Sequence, residues 1–230
     1  MFNFINGHDK TKIKIEVAKE INYLGVTLDS NLKWRQHICN TINKTRHMIH
    51  AFIKLRDIWP LRHLLIIYKV LFVPVWSYGI IAWGGTSEKH IIPLEIINRK
   101  ILNAIFNKPR RFPTYQLCRE LSILSVTQVA SINILKYSLR KQLIQFLPSS
   151  ESTRLKIHKF KAIAPKRRSN VLSESCHTFI GPRIFNLLPT EIRKTFYYDA
   201  STNHINIVIE WISGSDSQID LIKQSRNIIQ

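Results

Sequence analysis

The sequence has few cysteines, and their scatter limits the chemistry available to the chain. Its three cysteines are Cys39, Cys118 and Cys176, which lie far apart and form no CxxC pair. An odd, scattered set argues against a disulfide framework and is typical of a reducing intracellular compartment, nuclear or cytoplasmic. The N-terminal residues also lack the basic and apolar regions of a secretory signal. Cys176 and His177 have no companion ligands nearby, so we expect no metal and no cofactor.

Acidic residues are also scarce. Fifteen Asp and Glu oppose thirty-four Lys and Arg in 230 residues, giving a formal net charge of +19. Such an excess indicates a polyanionic partner, usually nucleic acid and less often an anionic membrane surface. The six aspartates are nowhere adjacent, so none forms the carboxylate pair that holds two metals in a polymerase. Glycine-rich phosphate loops, GxSxG and HExxH are missing as well. We therefore expect no enzyme activity from the chain on its own.

Residues 1–32 are predicted to form a β-hairpin. Residues 12–17 alternate strictly between polar and apolar side chains, which predicts a half-buried strand. We expect a turn at residues 18–20 and a partner strand over residues 21–28. Gly25 lies where the backbone needs conformational freedom. Asp29 and the two residues after it are typical of a turn that caps a helix.

The rest of the chain predicts a mainly α protein. We expect a helical domain over residues 33–148, a basic linker over 149–180 and a small C-terminal helical region over 181–230. Apolar residues at helical spacing predict helices over residues 33–59, 88–107 and 115–121, and then a helix capped by Thr127.

Residues 64–83 form the most apolar segment, with Lys69 as its one charged residue. Its length meets the criterion for a membrane span. However, Pro74 and Gly79 interrupt it, and its aromatic residues are not confined to its ends. We therefore predict a buried core helix.

Basic residues are concentrated in two places. One cluster is Lys108, Arg110 and Arg111, and the other is a run made of Arg154, Lys156, Lys159, Lys161, Lys166, Arg167 and Arg168. The run contains no acidic residue, and we interpret it as a phosphate-binding strap. The alternative is a solvated or localisation-like linker. Cations on the first predicted helix have the same two interpretations, a solvated face or a face toward nucleic acid.

Three stretches resemble one family. Tyr23-Leu24-Gly25-Val26, with Leu28-Asp29, Leu32, Trp34 and His37-Ile38 after it, resembles the segment that follows the palm in reverse transcriptases of jockey-like non-LTR retrotransposons. Tyr68-Lys69, Pro74, Tyr78-Gly79 and Trp83-Gly84 resemble the thumb of that family. Gly181 followed by Phe185-Asn186-Leu187-Leu188-Pro189 resembles its C-terminal pattern, with Phe185 where Trp is usual.

The resemblance implies a role for each region. Tyr23, Leu24 and Gly25 correspond to the primer grip, a hairpin that holds the 3′ end of the primer, and the following helices correspond to the thumb. The aromatic-x-Asp-Asp motif that carries the catalytic metals is not in the sequence. The resemblance therefore implies a non-catalytic part of an RNA-directed DNA polymerase.

Such a part would bind the backbone of an RNA–DNA hybrid or other nucleic acid, with a palm-containing polymerase chain as a second partner and no membrane. Two alternatives to this interpretation remain open. The first is an element-derived interaction protein without a nucleic-acid role. The second is a membrane-associated basic protein built on residues 64–83.

Overall fold

Two antiparallel hairpins precede the helices in the computed structural model, which describes residues 2–5, 12–15, 18–109, 111–146, 160–163, 177–199 and 204–214. Strand β1 (Phe2–Ile5) pairs with β2 (Lys12–Ile15), and β3 (Glu20–Tyr23) pairs with β4 (Val26–Asp29). The prediction that residues 12–17 pair with residues 21–28 is therefore wrong. The chain reverses within the second segment because Leu24 and Gly25 both have positive φ, 48° and 80°, as a type I′ hairpin turn requires.

Asp29 holds the loop that leads into helix α1 in place. The Asp29 carboxylate accepts hydrogen bonds from the backbone N–H groups of Asn31, Lys33 and Trp34, at 3.1, 3.0 and 2.7 Å. This confirms the turn expected there. The single helix predicted over residues 33–59 is instead two, α1 (Arg35–Arg46) and α2 (Met48–Leu55), which meet at His47.

The most apolar segment is not one continuous helix, so that prediction is wrong. It comprises α3 (Leu61–Ile67), a π-helical turn (Tyr68–Phe72), α4 (Val73–Ser77) and α5 (Ile80–Trp83). Pro74 has no N–H to donate to the preceding turn, and the helix widens to the π-helical turn just before it. Gly79, at φ 66°, separates α4 from α5.

Burial of this segment is one-sided. The buried side chains recur every three or four residues and are Leu64, Tyr68, Phe72, Trp76, Ile80 and Trp83. On the other side Ile66, Val70, Leu71 and Val75 are exposed. The core position predicted for the segment therefore holds for one face. Among the described residues, no helix has both the length and the apolar character needed to cross a membrane.

Helices α6 (Glu88–Ile105), α7 (Tyr115–Glu120) and α8 (Val126–Arg140) complete the central part of the fold. Ser125, not Thr127, caps α8. The Ser125 hydroxyl accepts a hydrogen bond from the Gln128 N–H at 3.2 Å, and the Gln128 side chain accepts one from the Ser125 N–H at 2.8 Å. This reciprocal capping box fixes where the helix begins.

The C-terminal helices α9 (His177–Leu187), α10 (Thr190–Tyr198) and α11 (Ile205–Gly214) share a core with the central ones. Helix α8 is packed against α5 on one side and α9 on another. The contacts are close because Gly84 meets Ala130 and Gly181 meets Ser138, where an added Cβ would lie 2.8 Å from the Cβ of either partner. The mainly helical fold with an N-terminal hairpin is confirmed, while the domain boundaries remain predictions.

Candidate nucleic-acid interface

The β3–β4 hairpin is held against the helices by three polar contacts. His37 Nδ1 accepts a hydrogen bond from the Thr27 N–H at 3.3 Å, and Asn40 Nδ2 donates to Thr27 Oγ1 at 3.3 Å. From the junction of α4 and α5, the Tyr78 hydroxyl donates to the Leu24 carbonyl oxygen at 3.0 Å. The first two contacts fix strand β4 on α1, and the third fixes the turn. The hairpin tip therefore has a defined position relative to α1.

The residues predicted as primer-grip-like lie together at this tip. The side chains of Tyr23 and Leu24 are 64% and 72% exposed. Gly25 lies in the left-handed region of the backbone, where a side chain would be strained. The tip therefore presents an aromatic ring and an aliphatic side chain on a turn whose backbone is fixed by Tyr78.

A polar groove of about 260 Å³ lies between the hairpin and α1. Asn22 and Gly25 line it from the hairpin, and its α1 wall includes His37, Asn40, Asn43 and Lys44. Amides donate and accept hydrogen bonds, and the ammonium of Lys44 donates three. Such groups suit phosphate and sugar oxygens, which carry no sequence information.

The groove residues of α1 were predicted from the sequence only in part. The cations of the first predicted helix, Lys44 among them, were given two interpretations, a solvated face or a face toward nucleic acid, but His37, Asn40 and Asn43 were not singled out as binding residues. The available signal was a polar stripe at helical spacing, formed by His37, Asn40, Thr41 and Lys44. The stripe becomes the wall of a groove only because the hairpin lies beside it.

Burial lowers the pKa of His37 from its ordinary value, and the positive charge of Lys44 lowers it further. The neutral imidazole is also the form that can accept at Nδ1, because both ring nitrogens of the protonated form carry hydrogen. Protonation of His37 would therefore remove one of the contacts that fix strand β4 on α1.

Only part of the predicted basic surface is described. Lys108 and Arg111 are exposed after α6, and the Lys108 ammonium lies 5.2 Å from the ring centroid of Phe112. Lys161 is half-buried. The other predicted cations, which are Arg110, Arg154, Lys156, Lys159, Lys166, Arg167 and Arg168, lie outside the described residues. Their role remains a prediction.

Residues 160–163 of the basic run are attached to the helical core. The Ala162 N–H donates to Asn186 Oδ1 at 2.7 Å, and Asn186 Nδ2 donates back to the Ala162 carbonyl oxygen at 2.9 Å. Ala162 also forms an antiparallel bridge with Phe146, and the Ile163 N–H donates to the Gln145 carbonyl oxygen at 2.7 Å. The basic run is thus anchored at its middle, which the sequence did not indicate.

Comparison with known proteins identifies distant relatives over part of the chain. The chain is 23% identical over 127 residues to the probable RNA-directed DNA polymerase from transposon BS of Drosophila melanogaster. This alignment covers 54% of this chain and 14% of that protein. It is 30% identical over 97 residues to the corresponding X-element protein of the same organism, covering 41% of this chain and 11% of the relative. A Pol polyprotein from the type-1 retrotransposable element R1 4 of Nasonia vitripennis is 30% identical over 133 residues, 55% of this chain and 33% of its own length.

These relatives are RNA-directed DNA polymerases of non-LTR retrotransposons. The chain spans a small part of each: 14% and 11% of the two Drosophila proteins. No family model matches the chain. No solved structure matches it. The partial similarity supports a retroelement origin, in agreement with the resemblance inferred from the sequence.

A larger cavity, of about 380 Å³, lies between α6, α7 and the start of α8 and is distinct from the hairpin groove. Glu95 in its wall accepts a hydrogen bond from the Thr127 N–H at 3.1 Å, and Asn98 accepts one from the buried Tyr68 hydroxyl at 2.7 Å. Burial raises the pKa of the Cys118 thiol, which disfavours the nucleophilic thiolate. Within the described ranges, no three His, Cys, Asp or Glu side chains come together to hold a metal ion.

Proposed function

We propose that the chain is the template–primer clamp of a retroelement reverse transcriptase, working in the nucleus or cytoplasm and non-catalytic on its own. The observation that carries the proposal is the polar groove beside the exposed hairpin tip. Similarity to RNA-directed DNA polymerases and the formal charge of +19 support it. In this proposal the β3–β4 hairpin acts as a primer grip and the helices from α1 to α8 act as a thumb.

The groove would bind nucleic acid through its backbone. Lys44 supplies the positive charge, and Asn43 supplies an amide that can donate to phosphate or sugar oxygens. Gly25 lines the groove with backbone atoms alone. Contacts to phosphate and sugar oxygens carry no sequence information, and a clamp that slides along any template requires such contacts.

The basic cluster and run extend this surface in the proposal. Lys108 and Arg111 are exposed, and Asn186 fixes Ala162 within the run. Binding at these cations would release counterions, so affinity for duplex should fall steeply as salt rises. For about six phosphate contacts the log–log slope is roughly −5, from about −0.9 for each contact.

The salt slope tests the clamp directly. Binding of fluorescent RNA–DNA hybrid is measured by anisotropy between 50 and 300 mM salt for Lys44→Gln and for Lys136→Gln, an equal charge change on the exposed side of α8. We expect Lys44→Gln to weaken binding and to flatten the slope by about one contact, and Lys136→Gln to change neither. Equal effects of the two variants would contradict a specific role for the groove.

Neutralising Lys166, Arg167 and Arg168 together tests the basic run. The slope should flatten by up to about three contacts, and equally for unrelated sequences. An unchanged slope would reduce the run to a solvated linker and leave the groove as the binding site.

Primer extension on an annealed template with Mg²⁺ or Mn²⁺ is expected to give no product, because the sequence holds no carboxylate pair for two metals.

A second candidate function is an element-derived interaction protein without a nucleic-acid role. The observation that favours it is the exposed apolar face of Ile66, Val70 and Leu71, since such faces mark interaction sites. A palm-containing polymerase chain is the partner we propose for this face. Pull-down of such a chain should be lost in Val70→Asp and kept in Lys136→Gln. Retention of the palm chain by Val70→Asp would exclude this face.

A further inference from the structure

A series of aromatic rings connects the core to the surface beside the anchored segment. Phe196 and Phe185 are fully buried, with ring centroids 6.0 Å apart. Phe146 lies 5.7 Å from Phe185 and 5.0 Å from Tyr197, and both pairs are edge-to-face. Such pairs are favourable beyond the area they bury. The series therefore fixes Tyr197 firmly at the end of α10.

The series ends in Tyr198, whose ring rests on two others. Tyr197 lies 5.4 Å from Tyr198 at an interplanar angle of 88°, and Phe160 lies 6.3 Å from Tyr198 at 55°. Phe160 and Tyr197 also meet edge-to-face at 5.2 Å. Tyr198 itself is 74% exposed. Tyr198 is therefore an aromatic ring that packs against two other rings and is largely exposed to solvent.

Phe160 is fixed by the backbone as well as by these rings. Ala162, two residues after Phe160, forms both main-chain hydrogen bonds with the Asn186 side chain. Because the support is preorganised, a ligand that stacks on Tyr198 would order few additional side chains on binding.

Cations lie beside this ring cluster. Lys161 follows Phe160, and the Lys194 ammonium lies 5.8 Å from the Phe160 centroid. The nearby acids have their own partners: Glu191 pairs with Lys194 at 3.1 Å on the exposed surface, and Asp199 with His204 at 2.8 Å. An exposed pair such as Glu191–Lys194 is weak and leaves Lys194 able to turn to a phosphate.

We propose that Tyr198, supported by Phe160 and Tyr197, is a stacking platform for an unpaired base of single-stranded nucleic acid, with Lys161 and Lys194 contacting its phosphates. The inference rests on the proposed nucleic-acid role and adds the form of ligand. Unpaired bases present their faces to aromatic rings, whereas the bases of a duplex stack on one another. The platform would therefore bind the strand where it leaves the duplex held by the clamp.

The test compares single-stranded and duplex ligands on the full chain. Affinities for a 15-nucleotide RNA without secondary structure and for an RNA–DNA hybrid are measured for wild type, Tyr198→Ala and Tyr198→Phe. We expect Tyr198→Ala to weaken single-strand binding by about 5- to 150-fold, as loss of one base–aromatic stack does. Hybrid binding should stay within about twofold, since a duplex offers no free base face. Tyr198→Phe should keep both affinities.

Two further measurements make the result specific. A 2-aminopurine base in the RNA should be quenched by wild type and by Tyr198→Phe but not by Tyr198→Ala. Ile58→Ala removes a side chain of matched exposure, 75%, and should change neither affinity. Thermal unfolding of Tyr198→Ala should match wild type, because the ring is largely solvated.

The outcomes separate the two proposals. If hybrid binds with a steep salt slope but Tyr198→Ala leaves single-strand affinity unchanged, the platform is wrong and the clamp remains. Equal weakening of both ligands by Tyr198→Ala would also overturn the platform. If wild type binds neither ligand, both proposals fail.

Discussion

The contact between α8 and α9 predicts that Gly181→Ala destabilises the fold. A Cβ on Gly181 would overlap the Ser138 hydroxyl and lie 2.8 Å from the Ser138 Cβ. Ser138 is fully buried, and its hydroxyl donates to the Ile134 carbonyl oxygen at 2.8 Å. Relief therefore requires either that Ser138 rotates and loses this hydrogen bond or that the two helices move apart.

The magnitude follows from opposing contributions. In an unhindered helix, replacing Gly by Ala stabilises by about 0.5–1 kcal/mol. Overpacking a core contact costs about 1–3 kcal/mol, and loss of the Ser138 hydrogen bond costs about 1 kcal/mol more. We expect a net loss of about 1–3 kcal/mol. In a chain of this size the melting temperature should fall by roughly 2–12 °C, at about 2–4 °C for each kcal/mol.

The assay is thermal unfolding followed by circular dichroism for Gly181→Ala, Ser138→Gly and the double variant. Ser138→Gly removes the two atoms that would lie too close to the new Cβ. The double variant should therefore lose less stability than the losses of the two single variants added together. A rise in the melting temperature of Gly181→Ala would refute the reasoning, because it would mean that the propensity gain meets no steric cost and that α8 and α9 lie further apart.

The remaining predictions concern the core and the hairpin. Ile80→Asp should abolish cooperative unfolding by heat, because an unpaired buried charge costs several kcal/mol (order of magnitude); a normal melt would contradict the core position of Ile80. Tyr68→Phe should cost about 1–3 kcal/mol in urea unfolding at pH 8, because Asn98 loses its buried donor. Burial raises the pKa of Tyr68, so wild-type stability is complete below the ordinary pKa of 10.0 and declines above it. Tyr68→Phe should show less of this alkaline loss, and parallel curves would contradict the assignment. The lowered pKa of His37 has the opposite sign: its contribution is present above pH 6.5 and is lost as the pH falls. His37→Gln should therefore flatten the stability profile between pH 7.5 and 5, and an unchanged acid profile would point to other groups.

Local chemistry made some elements predictable. The turn at Asp29 was predictable because its side chain needs only N–H groups up to five residues away. The predicted cap was not found, since α1 begins after Trp34 without a side-chain cap. The amphipathic stripe of α6 was read correctly because a core helix repeats its apolar residues regardless of what covers them. The Ser125 cap was missed although Ser125 and Gln128 spell a capping box, since Thr127 offered a competing hydroxyl only two residues away.

Other features depend on long-range packing and could not be read from local patterns. Alternation marks a strand but not its partner, so residues 12–15 were paired with the wrong neighbour. The apolar segment was expected to be buried throughout, yet hydrophobic composition does not say how many faces find a partner. The α1 residues form the wall of a groove only because β4 lies against the helix, and the pairing of Asn186 with Ala162 spans 24 positions.

The two hydrogen bonds between Asn186 and Ala162 have a consequence for which substitutions the chain tolerates. Asn186 forms hydrogen bonds with the main-chain N–H and carbonyl groups of residue 162. Every amino acid except proline has both of these groups. Substitutions of the neighbouring side chains therefore leave both hydrogen bonds in place. Asn186 has no such freedom, because a carboxylate in its place has no donor and an aliphatic side chain has neither group. A substitution of Asn186 should therefore release residues 160–163 from the helical core, whatever side chains the run carries.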